Sequence, residues 1–299
     1  MRILNFGSLN VDHVYKVADF VKPGETISAE TYSRFCGGKG LNQSIALARA
    51  GAKVLHAGRI GSDGLFLKEK LEASGVDCSL LEVAAEEPTG HAVIQVSAKG
   101  ENCIVLFGGA NMRIAEEQIS RSIQSMERGD FLLLQNEISR MGEIMEAADG
   151  AGLRIFFNPA PMNERVFSYP MELVDTLIVN EIEGAGLAGA DPESGPEQVI
   201  RSLRTKYPAA NLLMTLGASG AMYLGHSEER EVFVPASSVG KVVDTTAAGD
   251  TFIGYFLAET ALGASPETAM KTAAAASGLC VGRLGAADSI PFRRELRGG

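Results

Sequence analysis

One stretch organises this sequence: Val242-Val243-Asp244-Thr245-Thr246-Ala247-Ala248-Gly249-Asp250-Thr251-Phe252, an apolar pair followed by a turn of small residues and an apolar helix pattern. Small residues at a helix start leave the unpaired backbone N–H groups open to an anion, and the helix dipole adds positive potential there. Asp250 lies within this positive end. By itself it fits two interpretations: a helix-end charge that contributes about 0.3–1 kcal/mol, or a base beside a bound phosphate.

An alternation of helix patterns and short apolar runs surrounds this stretch. The apolar runs that predict buried strands cover residues 2–6, 53–57, 131–134, 153–157, 176–179 and 212–215. Continuous apolar strands between helices are typical of a mostly parallel sheet that helices cover on both faces. We therefore expect an α/β fold, with residues 1–299 forming a single domain.

Two segments, about 11–36 and 90–108, interrupt this alternation with partly alternating strands and turns. In the first segment Pro23-Gly24-Glu25 separates two strands, the second of which we expect at 26–35. The two segments predict a small separate sheet beside the main one. Such a sheet could be a lid or a subunit contact.

Polar residues gather just after the ends of the predicted strands. They are Asn10, Asp12, Gln135, Asn136, Glu137, Asn158, Asn180, Glu183 and Thr215. One such residue alone is usually a turn or a cap. The carboxyl ends of parallel strands meet at one edge of a sheet, where open α/β folds bind ligands, so this many polar residues indicate a ligand cleft.

A second helix start, Gly37-Gly38-Lys39-Gly40, is rich in glycine. Glycines there allow a ligand to approach the backbone closely. Lys39 and Asn42 lie three residues apart, so both can face one side of the helix. The stretch is not a Walker A loop, because the spacing G-x-x-x-x-G-K-[ST] occurs nowhere in the chain.

Composition restricts the classes of partner. The 299 residues are 45% apolar and 21% charged, with a net charge of −10 and a pI near 5.0. An acidic chain without a block of Lys or Arg argues against nucleic acid and membrane as partners. No apolar run approaches the roughly 18 residues of a spanning helix, and no signal peptide is evident, so we expect a cytoplasmic protein. The scattered Cys and His residues predict neither disulfides nor a zinc site.

Several motifs occur together along the chain. They are Gly7-Ser8-Leu9-Asn10-Val11-Asp12, Pro23-Gly24-Glu25-Thr26, Gly37-Gly38-Lys39-Gly40-Leu41-Asn42-Gln43, Asn158-Pro159-Ala160-Pro161, Asn180-Glu181-Ile182-Glu183, Thr215-Leu216-Gly217-Ala218-Ser219-Gly220 and the opening stretch. Jointly they resemble the ribokinase-like (PfkB-type) carbohydrate kinases over nearly the whole chain. The resemblance implies a three-layer fold with a mostly parallel sheet, flanking helices and a small β-sheet lid. In that family the lid often pairs with a second subunit's lid, so a homodimer is expected.

The same resemblance implies an ATP-dependent kinase that transfers the γ-phosphate to a primary hydroxyl of a small sugar, with D-ribose as the leading candidate. Asp250 would accept the hydroxyl proton, and the N–H groups of Ala247, Ala248 and Gly249 would stabilise the charge on the transferred group. The residues implied to hold the sugar are Asn10, Asp12, Gly38, Lys39, Asn42, Glu137 and Asp250 itself.

The resemblance also implies sites for the nucleotide and for two metal ions. The nucleotide residues are Asn180, Glu183, Thr215, Leu216, Gly217, Ala218, Ser219, Gly220 and Gly249. Glu183 would in addition order Mg²⁺ through water. The residues that resemble the family's K⁺ loops, which bind mostly through backbone carbonyls, are Asp244, Thr246, Arg283, Gly285 and Ser289. The sequence departs from the family pattern at two stretches, Thr272-Ala273-Ala274-Ala275-Ala276 and Ala287-Asp288. These departures bear on the nucleotide preference and on the cation site.

Three alternatives remain open for the function. The chain could be a kinase for another small sugar, such as deoxyribose or a ketose, a nucleoside kinase, or a catalytically silent sugar-binding protein. Asn10 with Asp12 favours vicinal hydroxyls, which points to ribose. No aromatic platform for a base is evident, and the retained Asp250 and Glu183 disfavour a silent binder.

Overall fold

The structure, a computed structural model, describes residues 1–191, 193–237 and 240–297. The strands in these ranges are β1 (Ile3–Phe6), β2 (Asn10–Lys16), β3 (Thr31–Gly37), β4 (Val54–Gly61), β5 (Leu81–Ala84), β6 (Gly90–Val96), β7 (Asn102–Phe107), β8 (Phe131–Gln135), β9 (Arg154–Asn158), β10 (Thr176–Asn180), β11 (Asn211–Thr215), β12 (Gly220–Leu224) and β13 (Val232–Pro235). The α-helices are α1 (Lys39–Arg49), α2 (Leu65–Ala73), α3 (Glu116–Gln124), α4 (Met141–Ala151), α5 (Glu181–Ala188), α6 (Pro196–Lys206), α7 (Ala248–Ala261) and α8 (Pro266–Val281).

The larger of two sheets has nine strands in the order β13-β12-β11-β10-β9-β8-β1-β4-β5. Seven of these strands, from β11 to β5, pair in parallel. At the other edge β12 pairs antiparallel with both β11 and β13. Strand β1 lies inside the sheet, with Ile3 opposite both Val54 and Phe131. The predicted mostly parallel sheet is confirmed, and its parallel strands end at a common edge.

Helices cover both faces of this sheet. Side chains alternate between the faces along each strand, so Ile3 packs with α1, α2, α7 and α8 while Leu4 packs with α3 to α6. Both side chains are fully buried. This confirms the expected three-layer arrangement. Among the described residues, no helix is both long and apolar enough to cross a membrane.

The smaller sheet contains four strands in the order β3-β2-β6-β7. Strand β2 pairs antiparallel with β3 and parallel with β6, and β7 is the exposed outer strand. The two sequence segments with alternating patterns therefore do combine into a separate sheet. The strand expected at 26–35 starts later, at Thr31, because β2 ends at Lys16 and offers the preceding residues no ladder partner.

Candidate active site

The turn before α7 has an unusual backbone conformation. Ala247 has a φ of 61°, in the left-handed region that costs an L-residue about 1–2 kcal/mol. The Ala248 N–H donates to the Thr245 carbonyl at 3.2 Å, which closes the turn. The next N–H groups, of Gly249 and Asp250, lie in the first helical turn and have no acceptor within the helix. Open space lies where a Gly249 side chain would stand, so an anion can approach them.

Asp250 is 9% exposed, and amides hold both of its carboxylate oxygens. The Asn42 side-chain amide donates to Oδ2 at 3.0 Å, and the Gln43 amide donates to Oδ1 at 2.9 Å. Both donors belong to the first turns of α1. The Oδ1 atom of Asn42 is buried and has no partner among the residues that the structure describes, which leaves it available to a substrate hydroxyl.

Lys39 lies between three carboxylates. Burial by itself lowers the pKa of Lys39, but the charges of Asp250, Glu137 and Glu183 outweigh burial and raise it. The Lys39 backbone N–H donates to Glu137 Oε2 at 3.0 Å, and the Ser8 hydroxyl donates to the same oxygen. Burial still raises the pKa of Glu137. The ammonium of Lys39 is therefore charged and faces the same centre as Asp250.

Asn10 and Asp12 stand at the start of β2, beside the glycines that precede α1. Asp12 pairs across the ladder with Phe35, and a Cβ on Gly37 would stand 2.2 Å from its carboxylate. Burial, followed by the charge of Glu137, raises the pKa of Asp12 to about 6. Asn10 is 4% exposed, and its Oδ1 accepts from Asn111 at 2.8 Å.

Gly38 caps α1 with a φ of 93°. A Cβ there would stand 2.9 Å from the Asn10 backbone N. Both this close approach and the positive φ exclude a side chain at residue 38. The glycine allows the chain that carries Lys39 to lie against the strand that carries Asn10. The predicted sugar residues are thus brought to one region of the sheet edge.

Asn180 and Glu183 form a capping box at the start of α5. The Glu183 N–H donates to Asn180 Oδ1 at 2.8 Å, and the Asn180 N–H donates to Glu183 Oε2 at 3.0 Å. Burial raises the pKa of Glu183 despite the hydrogen bond from Asn180. In the described ranges no three His, Cys, Asp or Glu side chains are grouped to hold a metal ion.

Two cavities meet at the start of α7. One, of about 240 Å³, is lined by Lys39, Asp250 and Glu183 among others. The second, of about 530 Å³, extends from Gly249 between the β11–β12 turn and α8, where Ser277 and Gly278 line it. Thr215, Thr245 and Gly249 line both cavities. The N-terminus of α7 therefore separates a small polar chamber from a larger, mostly apolar one.

The predicted nucleotide stretch lines the larger cavity only in part. Thr215, Gly217, Ala218 and Gly220 line it, in keeping with the prediction. Leu216 instead packs into the core cluster on the α3–α6 face at 5% exposure, and Ser219 closes the turn by donating its N–H to Leu216. These two residues support the loop and do not line the cavity.

The predicted cation residues also come together. The Asp244 carboxylate accepts from the Thr246 N–H and hydroxyl at 2.9 and 2.6 Å, and from the Gly285 N–H at 3.0 Å. Burial raises the pKa of Asp244, but these hydrogen bonds outweigh it and lower the pKa overall. Ser289 is fully buried, 3.1 Å from the Cys280 sulfur. The Arg283 guanidinium binds Glu295 at 2.6 Å, so only its backbone remains for a cation.

The structure adds residues that the sequence interpretation did not assign to the site. Gln43 contacts Asp250 directly, and Gln135 and Asn158 contact Gln43 at 2.7 and 3.3 Å. All three stood in quoted motifs or strand-end groups. Their spacing alone could not show that they contact each other. Asn111, between β7 and α3, holds Asn10 and carried no signal in the sequence.

Comparison with known proteins identifies the class. A model described as the pfkB family carbohydrate kinase matches residues 2–293, so the chain belongs to that family. The ribokinase of Haemophilus influenzae is 36% identical to it, over 97% of this chain and 95% of the relative. A crystal structure of ribokinase from Cryptococcus neoformans var. grubii serotype A in complex with ADP superposes with a TM-score of 0.88 at 35% identity, covering 99% of this chain and 98% of that one. The Arabidopsis thaliana ribokinase complexed with ribose and ATP also gives 0.88, at 30% identity, covering 99% and 97%.

Proposed function

We propose that this protein transfers the γ-phosphoryl group of ATP to the primary hydroxyl of D-ribose, giving ribose 5-phosphate and ADP. The observation that carries the proposal is the position of Asp250. Asp250 lines the polar chamber, and the adjacent Gly249, in the first turn of α7, lines both cavities. The similarity to ribokinases bound to ADP, and to ribose and ATP, supports the two substrates.

In this mechanism the sugar occupies the region of Asn10, Asp12, Gly38, Asn42 and Glu137. Carboxylate and amide groups match paired hydroxyls, and the free Oδ1 of Asn42 gains a donor when the sugar binds. Asp250 accepts the proton of the primary hydroxyl while the hydroxyl oxygen forms its bond to the γ-phosphorus. The bond from that phosphorus to the β-phosphate oxygen breaks, and the electron pair leaves with ADP.

Charge stabilisation comes from the start of α7 and from Lys39. The free N–H groups of the first turn face the position where charge develops, and Ala247 and Ala248 shape that turn. The Ala248 N–H already donates to the Thr245 carbonyl. We therefore assign most of the charge stabilisation to the Gly249 N–H and to the Lys39 ammonium. The ammonium stands between the carboxylates and offsets the negative charge of the triphosphate.

The nucleotide fits the larger cavity, with its phosphates directed toward Asn180 and Glu183. These residues suit Mg²⁺ held through water, because Mg²⁺ is usually bound by one or two carboxylates and retains several waters beside phosphates. The ion would neutralise phosphate charge. Ala274, Ser277 and Gly278 of α8 would line the nucleotide region in place of the Asn found in many family members.

A K⁺ site at Asp244, Thr246, Gly285, Ser289 and the Arg283 backbone completes the proposal. An ionised carboxylate and two loops rich in carbonyls suit a large monovalent cation. Val243 and Asp244 donate their N–H groups to the Val281 carbonyl, at 2.8 and 3.2 Å, so this loop is fastened to the end of α8. Bound K⁺ would stiffen the turn before α7. We further propose the cytoplasm as the compartment, in accordance with four free cysteines.

A sugar panel with two variants tests the proposal. We expect ADP production with ATP and ribose, and a loss of about 10²–10⁴-fold in kcat for Asp250→Asn, since the amide cannot accept the proton. Asp149→Asn, an exposed carboxylate on α4, is the matched control and should keep full activity. Turnover with deoxyribose, a ketose or a nucleoside alone would replace the ribose assignment. Ribose binding without ADP would support a silent binder.

A further inference from the structure

The carboxylate of Asp250 is the end of a buried chain of side-chain amides. Gln43 is fully buried, and its Nε2 donates to Asp250 Oδ1 at 2.9 Å. Its Oε1 accepts from Gln135 Nε2 at 2.7 Å, and the same Gln135 nitrogen donates to Asn5 Oδ1 at 2.9 Å. Gln135 and Asn5 are also fully buried. The chain therefore joins β1, β8, α1 and α7 without solvent.

The direction of this chain is determined by a backbone atom. Asn5 Nδ2 donates to the Gly40 carbonyl at 2.8 Å, and a carbonyl can only accept. The Asn5 oxygen must then face Gln135, and the Gln135 NH₂ must face the Gln43 oxygen. It follows that Gln43 presents its NH₂ group, not its oxygen, to Asp250.

A second branch confirms the same orientation. Gln43 Nε2 also reaches Asn158 Oδ1 at 3.3 Å, and Asn158 Nδ2 donates to the Ile178 carbonyl at 3.0 Å. Two backbone carbonyls, on different elements, thus require Gln43 to be a donor toward Asp250. This donor at 2.9 Å fixes the orientation of the Asp250 carboxylate.

We propose that Gln43 is a positioning residue. Held by the amide chain that begins at the Gly40 carbonyl, it aims the Asp250 carboxylate at the substrate hydroxyl. The inference rests on the proposed function of Asp250 as the base. Gln43 has no assigned contact with sugar or nucleotide, and it lines neither cavity. Its effect should therefore fall on turnover and not on binding.

The charges around Asp250 show why such a donor is needed. Lys39, from α1, stabilises the carboxylate, whereas Glu137, from the loop after β8, and Glu183, from α5, repel it. Asn42 supplies the other amide donor, at Oδ2. If Gln43 no longer donates, only Asn42 holds the carboxylate by an amide, and repulsion by the two glutamates can turn it away from the substrate hydroxyl.

The first test compares Gln43→Met with wild type. Methionine is close to glutamine in size and cannot donate, so we expect kcat to fall about 10- to 100-fold, as for a displaced catalytic group. KM for ribose and for ATP should stay within about threefold. Gln118→Met removes another fully buried amide, on α3, and should lower the melting temperature without changing kcat.

The second test uses Gln43→Glu, which keeps the shape of the side chain. At low pH a protonated Glu can donate to Asp250 while its carbonyl accepts from Gln135, so activity is partly retained. At high pH two carboxylates face each other, so the kcat of Gln43→Glu relative to wild type should fall as pH rises. Unchanged kcat and pH profiles in both variants, with active wild-type enzyme, would overturn the role of Gln43 alone. Absence of ribose turnover in the wild type would overturn the proposed function and this inference together.

Discussion

At the scale of single residues, the site brings carboxylates and an ammonium group close together. Asp12 and Glu137 are carboxylates whose pKa values burial raises. The charges of Asp250, Glu137 and Glu183 raise the pKa of Lys39, which stays charged. Asp250 has two amide donors on its two oxygens. These different environments agree with the proposed roles, in which Asp12 and Glu137 accept sugar hydroxyls and Asp250 is the base.

The pKa of Asp12 gives a prediction about pH. Because that pKa is about 6, the carboxylate needed to accept sugar hydroxyls is present above pH 6 and is lost as pH falls. We expect KM for ribose to rise about tenfold per pH unit below 6. Steady-state kinetics between pH 5 and 8 measure it. Asp12→Asn should have a higher KM that no longer changes near pH 6, and a flat wild-type KM would contradict the assignment.

At the scale of elements, α1 connects the two ends of the site. Its first turns carry Lys39, Asn42 and Gln43, and its last residue, Arg49, donates to the carbonyls of Ala287 and Ile290. Those carbonyls flank Ser289 in the proposed K⁺ loop. Helix α1 therefore contributes to the proposed sugar site at one end and contacts the proposed K⁺ loop at the other.

The cation loop yields a prediction at this scale. Replacing K⁺ by choline should lower kcat, and equal rates in the two buffers would show that the cation site is wrongly assigned. Arg49→Met should raise the K⁺ concentration for half activation and lower the free energy of unfolding by about 1–3 kcal/mol, through loss of charged hydrogen bonds. Arg121→Met, at an exposed pair with Glu82, is the control and should change stability by at most about 1 kcal/mol. Activation assays and urea unfolding measure both quantities.

The sequence alone predicted some helices and strands and not others. Most parallel strands of the main sheet contain continuous apolar runs, so the alternation of helices and strands could be predicted. The polar residues at the ends of these strands indicated the cleft. Helix α2 and strand β5 were not expected, since their stretch has a weak pattern. The left-handed Ala247 and the contacts of Gln43 depend on which elements pack together, and no local pattern encodes that.

At the scale of the whole molecule, the smaller sheet leaves apolar side chains uncovered. Directly opposite residues point to the same face of a sheet. The pairs Asp12–Phe35, Asp12–Ala92 and Ala92–Leu106 therefore place Phe35 and Leu106 on the same face as Asp12, a proposed sugar ligand. Phe35 is 45% exposed and Leu106 is 51% exposed. A cover for this face would also shield the sugar cleft, which is the basis for proposing that the sheet is a lid and a dimer contact.

Adjacent residues of β7 allow this dimer to be tested with a matched pair of variants. Leu106 lies on the Asp12 face, and Val105, 67% exposed, points to the opposite face because side chains alternate along a strand. We expect light scattering after size exclusion to give twice the chain mass of 31.6 kDa for the wild type. Leu106→Glu should give a monomer with a raised KM for ribose, because a buried charge is costly and the cleft loses its cover. Val105→Glu should remain dimeric with an unchanged KM. A Leu106→Glu protein that stays dimeric, or a Val105→Glu protein that dissociates, would place the subunit contact on another surface.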